Sequence, residues 1–110
     1  MIAKINPGPI KGEISVPSSK SHTIRALIIA TLAGGRSYIR NPLLSDDCKA
    51  AMRIAGQFGS TIATEEGVWI VDGPIDGLKT PDDVVNVDNS GTTLYFMTSI
   101  AALLPDYTIF

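Results

Sequence analysis

The chain has 110 residues, 45% of them apolar and 18% charged, which suffices for one compact domain with its own core and argues against disorder. Its longest apolar stretch, Ala26 to Ala33, is interrupted by Thr31 and falls well short of a membrane span, and the residues before Pro7 lack the long apolar segment of a signal peptide. The net charge of −2 hides an asymmetry: eight basic and three acidic residues lie up to Arg53, against one basic and eight acidic from Ile54 onward. The basic residues are widely spaced, without interleaved aromatics, so they do not form a nucleic-acid stripe. They suit a local anionic ligand or a solvated dipolar surface.

Ile10, Gly12, Ile14 and Val16 alternate with polar residues and predict a half-exposed strand that Pro17 stops. Ser18 or Ser19 then caps a helix running to about Ala33, with Ile24, Leu27, Ile28, Thr31 and Leu32 as its apolar stripe and Gly34-Gly35 at its end. Arg36–Arg40 predicts a strand and Asn41-Pro42 a turn. Ser45 caps a second helix, with Asp46 and Asp47 in its first turn and Gly59 closing it. Two short strands follow, about Thr61–Thr64 and Val68–Val71, joined as a hairpin with Trp69 turned to the core. Gly73–Asp83 is a loop, Val84–Val87 a strand, Asp88–Gly91 a tight turn, Thr92–Leu104 a helix and Tyr107–Phe110 the start of another strand. This order predicts an α/β domain with crossover units and a mixed sheet. Residues 1–17 are expected to lead in, 18–83 to form one repeat unit and 84–110 to open a second, so the chain reads as a fragment of a repeat protein.

Two turns carry chemistry. At Ser18-Ser19-Lys20-Ser21, backbone N–H groups at a helix start, hydroxyls and an ammonium converge, and Arg25 lies one turn further along the same face. That is an anion receptor, although a serine cap followed by exposed cations has the same pattern. Asp88-Asn89-Ser90-Gly91-Thr92-Thr93 repeats the theme with a glycine turn before a hydroxyl-rich helix; it is neither a Walker loop nor a dinucleotide fingerprint. Asp46 and Asp47 suit acid–base work or substrate hydroxyls, with at least one of them serving the helix dipole. His22 has no aspartate placed to orient it, and one Cys with one His makes no zinc site. Cys48, the single cysteine, reads as a packing residue, and the lack of a partner for it fits a reducing cytoplasm.

Taken together, Gly12–Ser21 with Arg25-Ala26-Leu27, then Leu43–Asp47, then Asn89–Thr93 resemble the enolpyruvyl transferase family over essentially the whole chain. The Ser-Lys-Ser…Arg arrangement is that of the branch using shikimate 3-phosphate rather than the branch using UDP-N-acetylglucosamine. The resemblance implies an inside-out α/β barrel built from β-α-β-α-β-β units, of which this chain holds about one and a half. It also implies transfer of the carboxyvinyl group of phosphoenolpyruvate to the 5-hydroxyl of shikimate 3-phosphate by a monomeric enzyme, without metal or cofactor. Lys20 is then the lysine at phosphoenolpyruvate and the reacting centre. Ser21 and Arg25 hold shikimate 3-phosphate, Asn89, Gly91 and Thr92 line the phosphoenolpyruvate pocket, and Asp46 or Asp47 faces the cleft. The family's main proton-moving groups lie in later segments, so the 110 residues alone are expected to be inactive. Tyr95 stands where family members commonly carry an arginine. A non-catalytic module binding phosphorylated ligands through the first turn is the alternative from another functional class.

Overall fold

The computed structural model describes all of residues 1–110 as helix α1 (Lys20–Leu32), strand β1 (Arg36–Arg40), helix α2 (Asp46–Gln57), strands β2 (Thr61–Glu65) and β3 (Val68–Asp72), and helix α3 (Gly91–Ala101). The sheet has the order β1-β3-β2, and both pairings are antiparallel. β1 and β2 therefore run parallel to each other, with β3 between them. The mixed sheet expected from the β-α-β order is corrected on this point, because the hairpin folds β3 back into the slot a parallel neighbour would have filled. The chain is nonetheless a mixed α/β fold, with helices covering one face of the sheet.

The register explains which face is covered. Ile39 lies opposite Trp69, and Ile62 opposite Val71; Trp69 and Val71 are buried, with Ile39 and Ile62 packed against the core around them. The period of two sends Tyr38 and Ala63 to the other face, where both are exposed. Against this layer α1 contributes Ile24, Leu27 and Ile28, α2 Cys48, Ala51, Ile54 and Ala55, and α3 Met97 and Ile100. Small residues on α2 let α1 approach closely. Losing the Trp69 indole would cost about 3–5 kcal/mol, the usual range for emptying a large aromatic site. Leu32, expected in the α1 stripe, is instead exposed; the buried stripe ends at Thr31, whose hydroxyl donates to the Leu27 carbonyl at 2.9 Å.

Three predicted strands are absent. Residues 10–16 take no regular structure and stay exposed, because the alternation encodes a strand only where another strand offers a ladder. Val84–Val87 and Tyr107–Phe110 do come together, but through a single backbone hydrogen bond, Val85 N–H to Ile109 O at 2.8 Å, which is one rung rather than a ladder. The third helix begins one residue earlier than expected, with Ser90 as its cap, and ends at Ala101 rather than Leu104.

Candidate anion-binding site

The first turn is built as the sequence indicates. Ser19 is the α1 N-cap, its hydroxyl accepting the His22 N–H at 3.3 Å while its carbonyl accepts from Thr23. The N–H groups of Lys20 and Ser21 have no partner within the chain, and the positive end of the helix dipole adds to them. Ser90 repeats the arrangement at α3: its hydroxyl accepts from the Thr93 N–H, and the N–H groups of Gly91 and Thr92 stay unpartnered. Ser90 and Thr93 are buried and share a 2.7 Å hydroxyl contact, which fixes the cap from the inside.

Lys20 donates from Nζ to Asp47 Oδ2 at 2.6 Å, joining the start of α1 to the start of α2. That hydrogen bond, together with the carboxylate's charge, raises the Lys20 ammonium above its ordinary range. The paired aspartates thus separate. Asp47 turns to Lys20, whereas Asp46 is solvent-exposed and pairs only with Lys49 one turn on, at 3.7 Å; Asp46 serves the helix dipole.

Arg25 folds back along α1, Nη1 donating to the Ser21 carbonyl at 3.2 Å, and its guanidinium lies 5.2 Å from the centre of the Phe96 ring on α3. The first turn is therefore tied to α2 through Lys20 and to α3 through Arg25. No hydrogen bond within the chain joins Asn89, Gly91 or Thr92 to the first turn, and the side chains of Asn89 and Thr92 are free. Gly91 is informative in a different way. Its backbone is outside the left-handed region, and a Cβ placed there would meet nothing within 4 Å, so neither conformation nor packing in this chain requires glycine. His22 is exposed, and Cys48 is buried with its thiol near the Lys20 carbonyl, which fits the packing role read from the sequence.

Three supporting residues were not singled out in the sequence. Thr23 accepts the Leu43 N–H at 3.0 Å and donates to the Ser19 carbonyl at 2.9 Å, stitching the α1 cap to the loop that carries Asp47. Arg53 donates to the Asn86 carbonyl and to Asp88, both at 2.9 Å, holding the turn before α3, where Asp88 has φ 51°. Phe96 carries Arg25. An i, i+4 polar pair, Ser19 and Thr23, was a legible hint for the first; the other two are long-range contacts with no local signal. A groove of about 400 Å³ lined by Pro42, Leu44, Met52, Val68 and Trp69 contains none of the predicted residues.

Capped helix starts with free amides and hydroxyls, a charged lysine and a stacked arginine, set on an α/β unit, are groups whose chemistry suits an anion. The sequence profile of EPSP synthase (3-phosphoshikimate 1-carboxyvinyltransferase) matches residues 5–110, and the chain belongs to that family. It is 42% identical over 110 residues to the 3-phosphoshikimate 1-carboxyvinyltransferase of Acetivibrio thermocellus, covering 100% of this chain and 26% of that protein. It is 47% identical over 103 residues to the protein of that name from Methanothermobacter thermautotrophicus, covering 93% and 24%. Among solved structures, EPSP synthase from Acinetobacter baumannii superimposes with a TM-score of 0.73 at 25% identity, over 82% of this chain and 21% of that one. The chain thus spans about a quarter of the length of the relatives it matches. No helix is long and apolar enough to cross a membrane.

Proposed function

We propose that this chain forms part of the site of a 3-phosphoshikimate 1-carboxyvinyltransferase. In that reaction the 5-hydroxyl of shikimate 3-phosphate loses its proton as its oxygen bonds to C2 of phosphoenolpyruvate, while C3 gains a proton. The C2–O bond to phosphate then breaks, C3 returns a proton, and EPSP and phosphate leave. Two substrates carrying phosphates and carboxylates must be held together, so positioned cations and amides do much of the work. Lys20 contacts phosphoenolpyruvate, with Asp47 setting its direction. Ser21 and Arg25 hold shikimate 3-phosphate, and Asn89, Gly91 and Thr92 line the phosphoenolpyruvate pocket, where a missing Cβ lets the ligand meet the backbone. Asp46 is left to the cap of α2. The observation that carries this reading is the Lys20 ammonium, fixed at 2.6 Å from Asp47 beside unpartnered helix-start amides, in a chain of this family. Residues 1–17 lead in, 18–83 form the first repeat unit and 84–110 open the second, in a monomeric cytoplasmic enzyme.

The test is a chimera. This chain replaces the matching quarter of the Acetivibrio thermocellus relative, and EPSP formation from shikimate 3-phosphate and phosphoenolpyruvate is measured. Activity that survives the exchange and is lost on Lys20→Ala supports the reading. A folded but inert chimera, or one indifferent to Lys20→Ala, overturns it. The 110 residues assayed alone give no turnover.

A further inference from the structure

Four of the chain's cations, Lys20, Arg36, Lys49 and Arg53, are paired with aspartates. Arg25 has no carboxylate within 4 Å; its partner is the face of Phe96, 5.2 Å from the guanidinium carbon to the ring centre. The difference is chemical. A carboxylate occupies the in-plane N–H donors of a guanidinium, whereas an aromatic ring engages only its face and leaves those donors free for an oxyanion. Only Nη1 is otherwise engaged, through the Ser21 carbonyl. Phe96 is itself half-buried and packed against the core, so it is a fixed platform for an exposed side chain that would otherwise sample many rotamers.

We propose that Phe96 is a positioning residue for ligand binding: its ring holds the Arg25 guanidinium over α3 with its N–H edge open to an anionic group of shikimate 3-phosphate. This deepens the function proposed above and rests on Arg25 being a ligand of that substrate.

The experiment is a double-mutant cycle on shikimate 3-phosphate binding, read by calorimetry on the full chain with Phe96→Leu, Arg25→Ala and the double variant. Phe96→Leu weakens binding about two- to fivefold, the range of an exposed cation–π contact, and Phe96→Trp retains the parent affinity. In the Arg25→Ala background Phe96→Leu changes the dissociation constant by less than about 1.5-fold. A purely structural role would give the same loss in both backgrounds, and that result, or no loss at all, overturns the proposal. Should Phe96→Leu fail to fold, Phe96→Met fills similar space without a ring face and takes its place. An Arg25→Ala variant that binds as tightly as the parent removes Arg25 from the ligand set and the proposal with it. An Arg25→Ala loss without a Phe96→Leu loss sinks the Phe96 role alone.

Discussion

Lys20 Nζ and Asp47 Oδ2, 27 positions apart in sequence, are 2.6 Å apart in the structure. The pair fastens the serine–lysine turn to the start of α2, and it gives the two residues unequal duties. In the function proposed above the ammonium meets the anion, and the carboxylate aims it. Lys20→Ala should therefore lower kcat/KM for carboxyvinyl transfer by about 10²–10³, as for loss of one preorganised donor. Asp47→Asn leaves the ammonium in place but less well directed, with a loss of about tenfold. Steady-state kinetics of both variants in the chimera with the Acetivibrio thermocellus relative decide it. A larger loss at Asp47 than at Lys20 would make the carboxylate the reacting group.

Gly91 makes a sharper test because stability and binding should part company. A Cβ there meets nothing in the chain, so Gly91→Ala should unfold in urea at the parent midpoint or slightly above it, alanine being the better helix former. If Gly91 lines the pocket as proposed, phosphoenolpyruvate binding should fall at least about tenfold, because the methyl would occupy the surface assigned to the ligand. Unchanged phosphoenolpyruvate affinity would take Gly91 out of the pocket.

What the sequence made legible was local. Ser19, one of two serines expected there, and Ser45 cap their helices, and the hairpin of β2 and β3 forms where its turn indicated. Non-local pairing was not legible. Val84–Val87 has strand composition, yet a strand exists only where its N–H and C=O groups find a ladder, and here Val85 finds one rung. The same holds for Ile10–Val16. The duties of Asp46 and Asp47, adjacent and chemically identical, were separated only by the position of Lys20 on another helix, and the Arg53 and Phe96 contacts had no sequence signature at all.

Thr23 connects the two halves of the first site. Its hydroxyl is the acceptor for the Leu43 N–H, at the head of the loop leading to Asp47. Thr23→Val keeps the shape and leaves that N–H without a partner, a cost of about 1–3 kcal/mol. Thr23→Ser keeps the hydroxyl and should lose less than about 1 kcal/mol, the scale of one buried methyl group. Urea unfolding of the two variants checks the order; equal losses would show that the methyl, not the hydroxyl, matters.

Gly73 follows β3 at a close approach to the end of α1. A Cβ at this position would lie 2.6 Å from the Ala30 carbonyl oxygen and 3.0 Å from that of Thr31, both backbone atoms with little freedom to yield. Gly73→Ala should therefore destabilise the chain by about 1–3 kcal/mol, in the range of overpacked sites. Its urea midpoint should drop while that of Gly56→Ala, where nothing lies within 4 Å, does not. Equal behaviour of the two would contradict this packing.

The last prediction concerns acid. Arg36 and Asp72 face each other across β1 and β3, with Nε–Oδ1 at 2.8 Å and Nη2–Oδ2 at 2.9 Å. The Arg36 hydrogen bond holds the Asp72 carboxyl below its ordinary range, against the opposing effect of desolvation. A carboxyl depressed in the folded state contributes stability above its unfolded pKa of about 3.9 and loses it as the pH falls through the folded value. Arg36 stays charged throughout, so it adds no slope of its own. The stability gap between the parent and Asp72→Asn should be constant from about pH 8 to pH 5 and close on further acidification below about pH 4. Because both groups are substantially exposed, the gap is small and should also shrink in about 0.5 M salt at neutral pH. Urea midpoints of the two proteins across this range give the comparison. A gap that widens in acid would mean that Asp72 is stabilised in its protonated form, contrary to the bidentate geometry.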